Sequence, residues 1–254
     1  MRSAGRMVLL LGVLLRASAR LIVTRPRSRL ERAVWLHQLC RGAMGTFGVE
    51  LVAEGRFPER GFVISNHLSY LDIVVFASMG PCVFVSKAEV AGWPLLGWMT
   101  TMAGTVYVRR GGRGNAREAG GEMRAAAEAG LPVVFFPEGT TSNGEAILKF
   151  HSGLLAEIVG EAQPVTAAYL RYSLTRANPG RTAGDDVAYW GEQPIVPHIF
   201  RFLGLRGVRA ELVMAEEPIR FTEGASSRKL AAVEARSAVC LLSDDCGAAT
   251  TAAD

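Results

Sequence analysis

The feature that most constrains the fold is a series of short apolar runs, each ending in a polar or charged cluster and alternating with stretches of helical pattern. The runs at 62–64, 82–85, 104–108 and 132–136 are rich in β-branched and aromatic residues and have the length of buried strands. Helical patterns at 70–79 and 113–129 lie between them, the second closed by Gly130 as a C-cap. Strands alternating with helices imply a mostly parallel sheet, whose carboxyl ends share one edge and form the usual ligand side of an open α/β fold. Here those ends carry His67 with Asp72, Lys87, Arg110, and the turn Glu138-Gly139-Thr140. The predicted fold class is therefore α/β: a mixed, mostly parallel sheet flanked by helices.

At 254 residues the chain is long enough for one substantial core. With 49% hydrophobic residues and a positive mean hydropathy, it is globular rather than disordered. The net charge of +4 is modest but unevenly placed, because nine arginines, no lysine and the single acid Glu31 precede Glu50. Such an arm suits anionic lipid headgroups better than nucleic acid, for which no aromatic-basic interleaving or known motif is present. The cysteines at 40, 82, 240 and 246 form no CxxC and no metal-like grouping with the four histidines, as expected of free thiols in a reducing compartment.

The apolar run at 7–15 is too short to cross a bilayer core, which needs about 20 residues. Extending it to Val23 brings in Arg16 and Arg20. Residues 4–24 thus read as a helix lying in the interface, with arginines toward phosphates and leucines toward acyl chains. A secretory signal is the rival reading, but Arg16 interrupts the approach to Ala17-Ser18-Ala19 and further arginines follow directly. A second helix is expected at 28–47, making an N-terminal membrane-associating hairpin over 1–47. The catalytic-type domain is expected at 48–243, and 244–254 as a tail. A strand at 163–169, a polar loop at 171–184, a short strand at 187–190, a helix at 194–203, a closing strand at 208–215 and a helix at 226–242 complete the expectation.

His67 precedes a helix and Asp72 stands five residues on. On a continuous helix that spacing would hold the two apart, whereas a histidine on the preceding turn can fold back over the first helical residues. Asp72 would then fix the imidazole tautomer and leave one nitrogen free to take a proton from a hydroxyl. The alternative is a capping box in which Ser69 and Asp72 merely satisfy backbone donors, and the spacing admits both. The loop 137–144, rich in glycine and hydroxyls, is placed to cradle an oxyanion or phosphate, with Lys149 close behind it. The loop lacks the ending of a nucleotide-binding P-loop, and no serine elbow or dinucleotide fingerprint is present. A base, cations and an anion cradle on one edge favour an enzyme acting on a phosphorylated alcohol. The apolar stretch 92–99 reads either as core packing or as the wall of a hydrophobic groove.

Asn66-His67 with Asp72, the stretch 104–110, Phe136-Pro137-Glu138-Gly139-Thr140, and Gln163-Pro164-Val165 together resemble the four ordered motifs of the glycerolipid acyltransferase family, typified by 1-acyl-sn-glycerol-3-phosphate acyltransferases. The resemblance extends over roughly residues 45–240 and includes Lys87-Ala88-Glu89 and 93–97. It implies direct transfer, without an acyl-enzyme or metal, from acyl-CoA or acyl carrier protein to the 2-hydroxyl of 1-acyl-glycerol-3-phosphate, making phosphatidate. His67 would be the base and Asp72 its orienting partner. Arg110 would bind the acceptor phosphate, Glu138, Gly139 and Thr140 would shape its pocket, and Lys87 and Lys149 would join the substrate site. The expected location is the cytoplasmic face of an inner membrane. Two departures bear on the acceptor: Thr141 stands where many members carry arginine, and Arg109 where many are acidic or neutral. A different lysolipid, lysophosphatidylcholine-like or built on an amino acid, is the alternative acceptor. A non-catalytic lipid-binding protein or a thioester hydrolase are the readings outside the class.

Overall fold

The computed structural model describes residues 2–93, 96–109, 111, 113–160, 162–222 and 228–243. In chain order the elements are α1 (Arg2–Thr24), α2 (Arg29–Phe47), β1 (Val49–Glu54), β2 (Gly61–Ser65), α3 (Leu71–Met79), β3 (Val83–Lys87), α4 (Leu96–Met102), β4 (Val106–Val108) and α5 (Arg113–Glu128). They continue with β5 (Pro132–Phe135), α6 (Ser152–Leu155), β6 (Val165–Leu174), α7 (Ala183–Asp186), α8 (Ile195–Gly204), β7 (Val208–Met214) and α9 (Arg228–Cys240).

The seven strands form a sheet in the order β1-β7-β6-β2-β5-β3-β4. Every neighbouring pair is parallel except β6 with β7. The fold is thus mixed and mostly parallel, as the alternation of strand and helix predicts. All five residues of β2 are buried. Side chains alternate across the sheet, so Phe62 and Ile64 enter a core roofed by α5 and α9, whereas Val63 enters one roofed by α2, α3 and α8. The five strands β2 to β6 run in one direction and share one carboxyl edge, whereas β1 and β7 run the other way.

The helical hairpin is built from local signals. Ser28 and Glu31 form a reciprocal capping box at the start of α2: Ser28 Oγ accepts from Glu31 N at 3.1 Å, and Glu31 Oε2 accepts from Ser28 N at 3.0 Å. Gly48 ends α2 in the left-handed region, where a side chain would also collide with the Arg6 guanidinium. Eight residues of α2 are buried, against Ala17 alone in α1. Trp35 Nε1 donates to Ala17 O at 2.9 Å, and Arg6 Nη1 donates to Leu205 O at 2.8 Å, fastening α1 across α2 and the end of α8. The opposite stripe of α1, Val8, Leu11, Leu15 and Ile22, stays exposed and apolar. By length and composition α1 is also long enough to cross a membrane.

Several expectations need correction. The segment 187–190 is not a strand: it leaves the single turn α7, buries Val187 and Ala188, and bonds Tyr189 N to Leu68 O at 2.8 Å. Its apolar pattern reflects burial without a neighbouring ladder. Residues 171–174, expected in a polar loop, extend β6, because the antiparallel partner β7 pairs Arg171 with Glu211 and satisfies the exposed polar face. The loop after β5 leads to one helical turn, α6, only after Ser152, so no helix N-terminus stands directly behind 137–144. Of the groove stretch 92–99, Trp93 and Trp98 are exposed, Trp98 meets Trp35 edge-on, and residues 94–95 lie outside the described residues.

The ladder between β2 and β6 ends at Ser65 opposite Ala168, and the Asn66 side chain takes over from it. Leu170 N donates to Asn66 Oδ1 at 2.8 Å, and Asn66 Nδ2 donates to Leu170 O at 2.9 Å. This lets the main chain of β2 turn away while β6 continues. Asn66→Ala leaves both backbone groups of the fully buried Leu170 unpaired, so it should cost roughly 2–4 kcal/mol in urea unfolding; a loss below about 0.5 kcal/mol, the scale of a surface change, would show that this substitute ladder carries no stability.

Candidate active site

Released by Asn66, the chain makes the turn 66–70 before α3, and this turn carries His67. Asp72, in the first turn of α3, is fully buried and accepts four hydrogen bonds. Oδ2 takes Leu68 N at 2.7 Å, Ser69 N at 3.0 Å and His67 Nδ1 at 2.7 Å, while Oδ1 takes the Tyr172 hydroxyl at 2.9 Å. Capping and orientation are therefore functions of one carboxylate. The reciprocal half of the capping box is missing, since Ser69 Oγ has no partner.

A carboxylate accepts only, so His67 holds its proton on Nδ1 and presents the lone pair of Nε2 outward. The imidazole stacks on Phe136, with ring centroids 4.0 Å apart and planes 7° apart. Its side chain keeps 20% exposure, and among the described residues nothing bonds Nε2. The turn is clamped from both flanks, with Ser142 N donating to His67 O at 3.0 Å and Tyr189 N to Leu68 O at 2.8 Å. The result is a firmly held imidazole with one open nitrogen that is chemically able to accept a proton.

Glu138 lies beside this pair. It is 2% exposed, and neither carboxylate oxygen has a hydrogen-bond partner. Burial pushes its pKa up to about 8; the nearby amides of His67 and Leu148 pull the other way without reaching hydrogen-bond alignment, Asp72's charge adds to the rise, and Arg236 opposes it. At neutral pH Glu138 is thus mostly a neutral acid able to donate. Arg236, on α9, donates from Nη2 to Ile147 O at 2.7 Å and from Nε to Leu148 O at 3.1 Å, so the last helix holds the loop that follows Glu138. Gly139 sits in the left-handed region, and a Cβ there would come within 3.1 Å of the His151 ring.

The predicted residues thus divide. His67, Asp72 and Glu138 come together. Gly139 and Thr140 form the exposed rim of the same loop, Lys149 is exposed beyond it, and Lys87 is half-buried at the end of β3. Arg109 is exposed at the end of β4, and Arg110 lies outside the described residues. Tyr172 and Arg236 escaped the sequence reading: each lies far along the chain from the residue it serves, and no spacing announces either. Burial, followed by Asp72's charge and hydrogen bond, raises the Tyr172 pKa and keeps its hydroxyl a donor. Among the described residues no group of three or more His, Cys, Asp or Glu side chains is arranged to hold a metal ion.

The sheet edge carries a His-x4-Asp pair on a strand-to-helix turn with a Glu-Gly-Thr loop beside it, and the chain belongs to the glycerolipid acyltransferase family. Residues 49–170 match the family's Acyltransferase model. Among particular relatives, the lyso-ornithine lipid O-acyltransferase of Pseudomonas aeruginosa is 35% identical over 202 residues, covering 78% of this chain and 72% of that protein. A 1-acyl-sn-glycerol-3-phosphate acyltransferase of Neisseria gonorrhoeae is 34% identical over 150 residues, or 58% of each chain. The fold is similar to that of the 1-acyl-sn-glycerophosphate (LPA) acyltransferase PlsC from Thermotoga maritima, with a TM-score of 0.61 over 95% of this chain and 98% of that one at 19% identity.

The raised pKa of Glu138 makes stability depend on pH. The folded protein holds a proton there up to about pH 8, while the unfolded chain releases it near the ordinary 4.5. This contribution is full below 4.5 and is lost as pH rises through 8. The neutral mimic Glu138→Gln lacks this titration. Thermal melts from pH 5 to pH 9 should therefore show the parent losing stability relative to Glu138→Gln as pH rises; parallel curves would contradict a buried, protonated Glu138.

Proposed function

We propose that this protein transfers an acyl chain from acyl-CoA or acyl carrier protein to a lysolipid hydroxyl at the cytoplasmic face of a membrane, with His67 as general base. The observation that carries the reading is the 2.7 Å bond from His67 Nδ1 to a buried, fully bonded Asp72, with Nε2 left open. Nε2 removes the acceptor hydroxyl's proton as its oxygen attacks the thioester carbonyl. Asp72 stabilises the imidazolium, which returns the proton to the departing thiolate. The steps balance without an acyl-enzyme.

For the acceptor we favour an amino-acid lysolipid of the lyso-ornithine type. It is supported by the Pseudomonas relative and by Thr141, which puts no cation after Glu-Gly-Thr where a phosphate monoester would call for one. The second reading is 1-acyl-glycerol-3-phosphate, supported by the Neisseria relative, by the cations Lys87, Arg109 and Lys149 around the same sheet edge or loop, and by Arg110 next in sequence. Glu138, Gly139 and Thr140 shape the acceptor pocket in either case. Residues 1–47 serve as the membrane-association segment, with the apolar stripe of α1 in the interface.

Purified protein offered acyl-CoA or acyl carrier protein with each lysolipid separates these readings. Lyso-ornithine lipid should be acylated at least about tenfold faster than 1-acyl-glycerol-3-phosphate, since a buried polar mismatch costs 1.4 kcal/mol or more. His67→Ala and Asp72→Asn should each lower turnover roughly 10²–10⁴-fold. Undiminished turnover in His67→Ala would remove the base from the mechanism, and the opposite acceptor preference would establish the second reading.

A further inference from the structure

Along the α1–α2 hairpin lie two cavities open to solvent, both mostly apolar in their walls and both framed by arginines. The one at the elbow, about 330 Å³, is lined by Leu21, Ile22, Arg25, Arg27, Arg32 and Met102. The other, about 360 Å³, lies further along the hairpin and brings Arg16, Arg20 and Arg41 around Trp35. In the elbow the cations are not balanced from within. Arg29 is paired with Glu122 at 3.3 Å. Glu31, the acid of the hairpin, feels Arg27 but spends its carboxylate on the backbone amides of Arg27, at 2.7 Å, and Ser28, at 3.0 Å. Arg25 and Arg32 form no ion pair with any described carboxylate.

The elbow also departs from the expected turn chemistry. Helix α1 closes with Arg25 N donating to Leu21 O at 2.9 Å, and Arg25 takes φ 43°, the one positive φ outside glycine among the described residues. Glycine is the usual occupant of such a position, because a Cβ is strained there. An arginine kept in that conformation, at the mouth of a cavity and beside two further arginines, is a cost that an anion would offset. The apolar wall of Leu21, Ile22 and Met102 continues into the outward stripe of α1 and gives that anion an apolar body.

We infer that the α1–α2 elbow is a binding site for the phosphate of an anionic phospholipid, with Arg25, Arg27 and Arg32 gripping the phosphate and Leu21, Ile22 and Met102 receiving the first methylenes below it. The site is separate from the acyl-transfer cleft and is a docking point for bulk lipid. It rests on the reading of α1 as an interfacial helix. Guanidinium groups suit phosphate because their paired donors match its oxygens.

The test uses the full chain on vesicles of phosphatidylcholine alone and of phosphatidylcholine mixed with phosphatidylglycerol. Arg25→Gln/Arg32→Gln should weaken binding to the mixed vesicles about 25-fold, about fivefold for each arginine near an anionic surface, and leave binding to phosphatidylcholine unchanged. The charge-matched control Arg56→Gln/Arg60→Gln, on the exposed loop before β2, should change little. Arg25→Gly should raise Tm, by relieving the turn, while weakening binding to the mixed vesicles. Equal losses in elbow and control variants, or a gain in Tm with no loss of binding, would overturn the site. Inorganic phosphate at the concentration of the anionic lipid should not release the protein; release would overturn the assignment to a lipid. If the parent bound neither vesicle, the interfacial reading of α1 would fail, and the elbow site with it.

Discussion

A carboxylate with no exposure to solvent is costly unless its oxygens are bonded, and the Asp72 carboxylate is the point on which the rest of the site depends. Four donors converge on it: two backbone amides of the turn it follows, the imidazole of His67 and the hydroxyl of Tyr172. Removing any one partner leaves the other three to compensate a buried charge. The turn, the base and the second half of β6 are therefore coupled through one side chain. Because the amides of Leu68 and Ser69 hold the same oxygen that His67 approaches, the imidazole orientation is set by the backbone as much as by the pair itself.

The surrounding architecture protects that geometry. The two-sided burial of β2 fixes where the strand ends, Asn66 completes its pairing with β6, and Phe136 covers one face of the His67 ring. Ser142 and Tyr189 clamp the carbonyls of His67 and Leu68 from opposite sides. What remains free is the outer nitrogen of the imidazole and, beside it, a carboxyl group whose pKa burial raises. On the far side of α2, the sparsely buried α1 turns an apolar stripe outward. One helix, α2, thus serves as the base plate for α1 and as part of the roof over the sheet.

Much of this was legible in the sequence because it is local. The hairpin follows from the apolar run of 7–15 and the helix expected at 28–47, the central strands from β-branched runs, and the pair from a spacing that makes sense only if His67 precedes the helix. The rest depends on contacts distant along the chain. Nothing near Tyr172 indicates that its hydroxyl reaches Asp72, because that requires β6 to run on past Arg171, which in turn requires β7 beside it in the antiparallel sense. The apolar pattern of 187–190 was misleading for the same reason, since burial and strand pairing leave the same trace in a short segment. Glu138 was identifiable as a site residue from its loop, but its protonation follows from burial without a hydrogen-bond partner, which no motif encodes. The acceptor is the least local property, because Lys87, Arg109 and Lys149, the cations that bear on the proposed choice, come from separate segments of the chain.

Asp72 holds His67 as the Nδ1–H tautomer with Nε2 unprotonated and available. Long-range ¹H–¹⁵N NMR of protein labelled at histidine nitrogens, recorded on the neutral ring, reads out the tautomer. The expected spectrum shows a His67 ring with a protonated Nδ1 and an unprotonated, pyridine-like Nε2, and loss of that preference in Asp72→Asn. A His67 ring protonated on Nε2 with a bare Nδ1, or one averaging between tautomers in the parent, would contradict it.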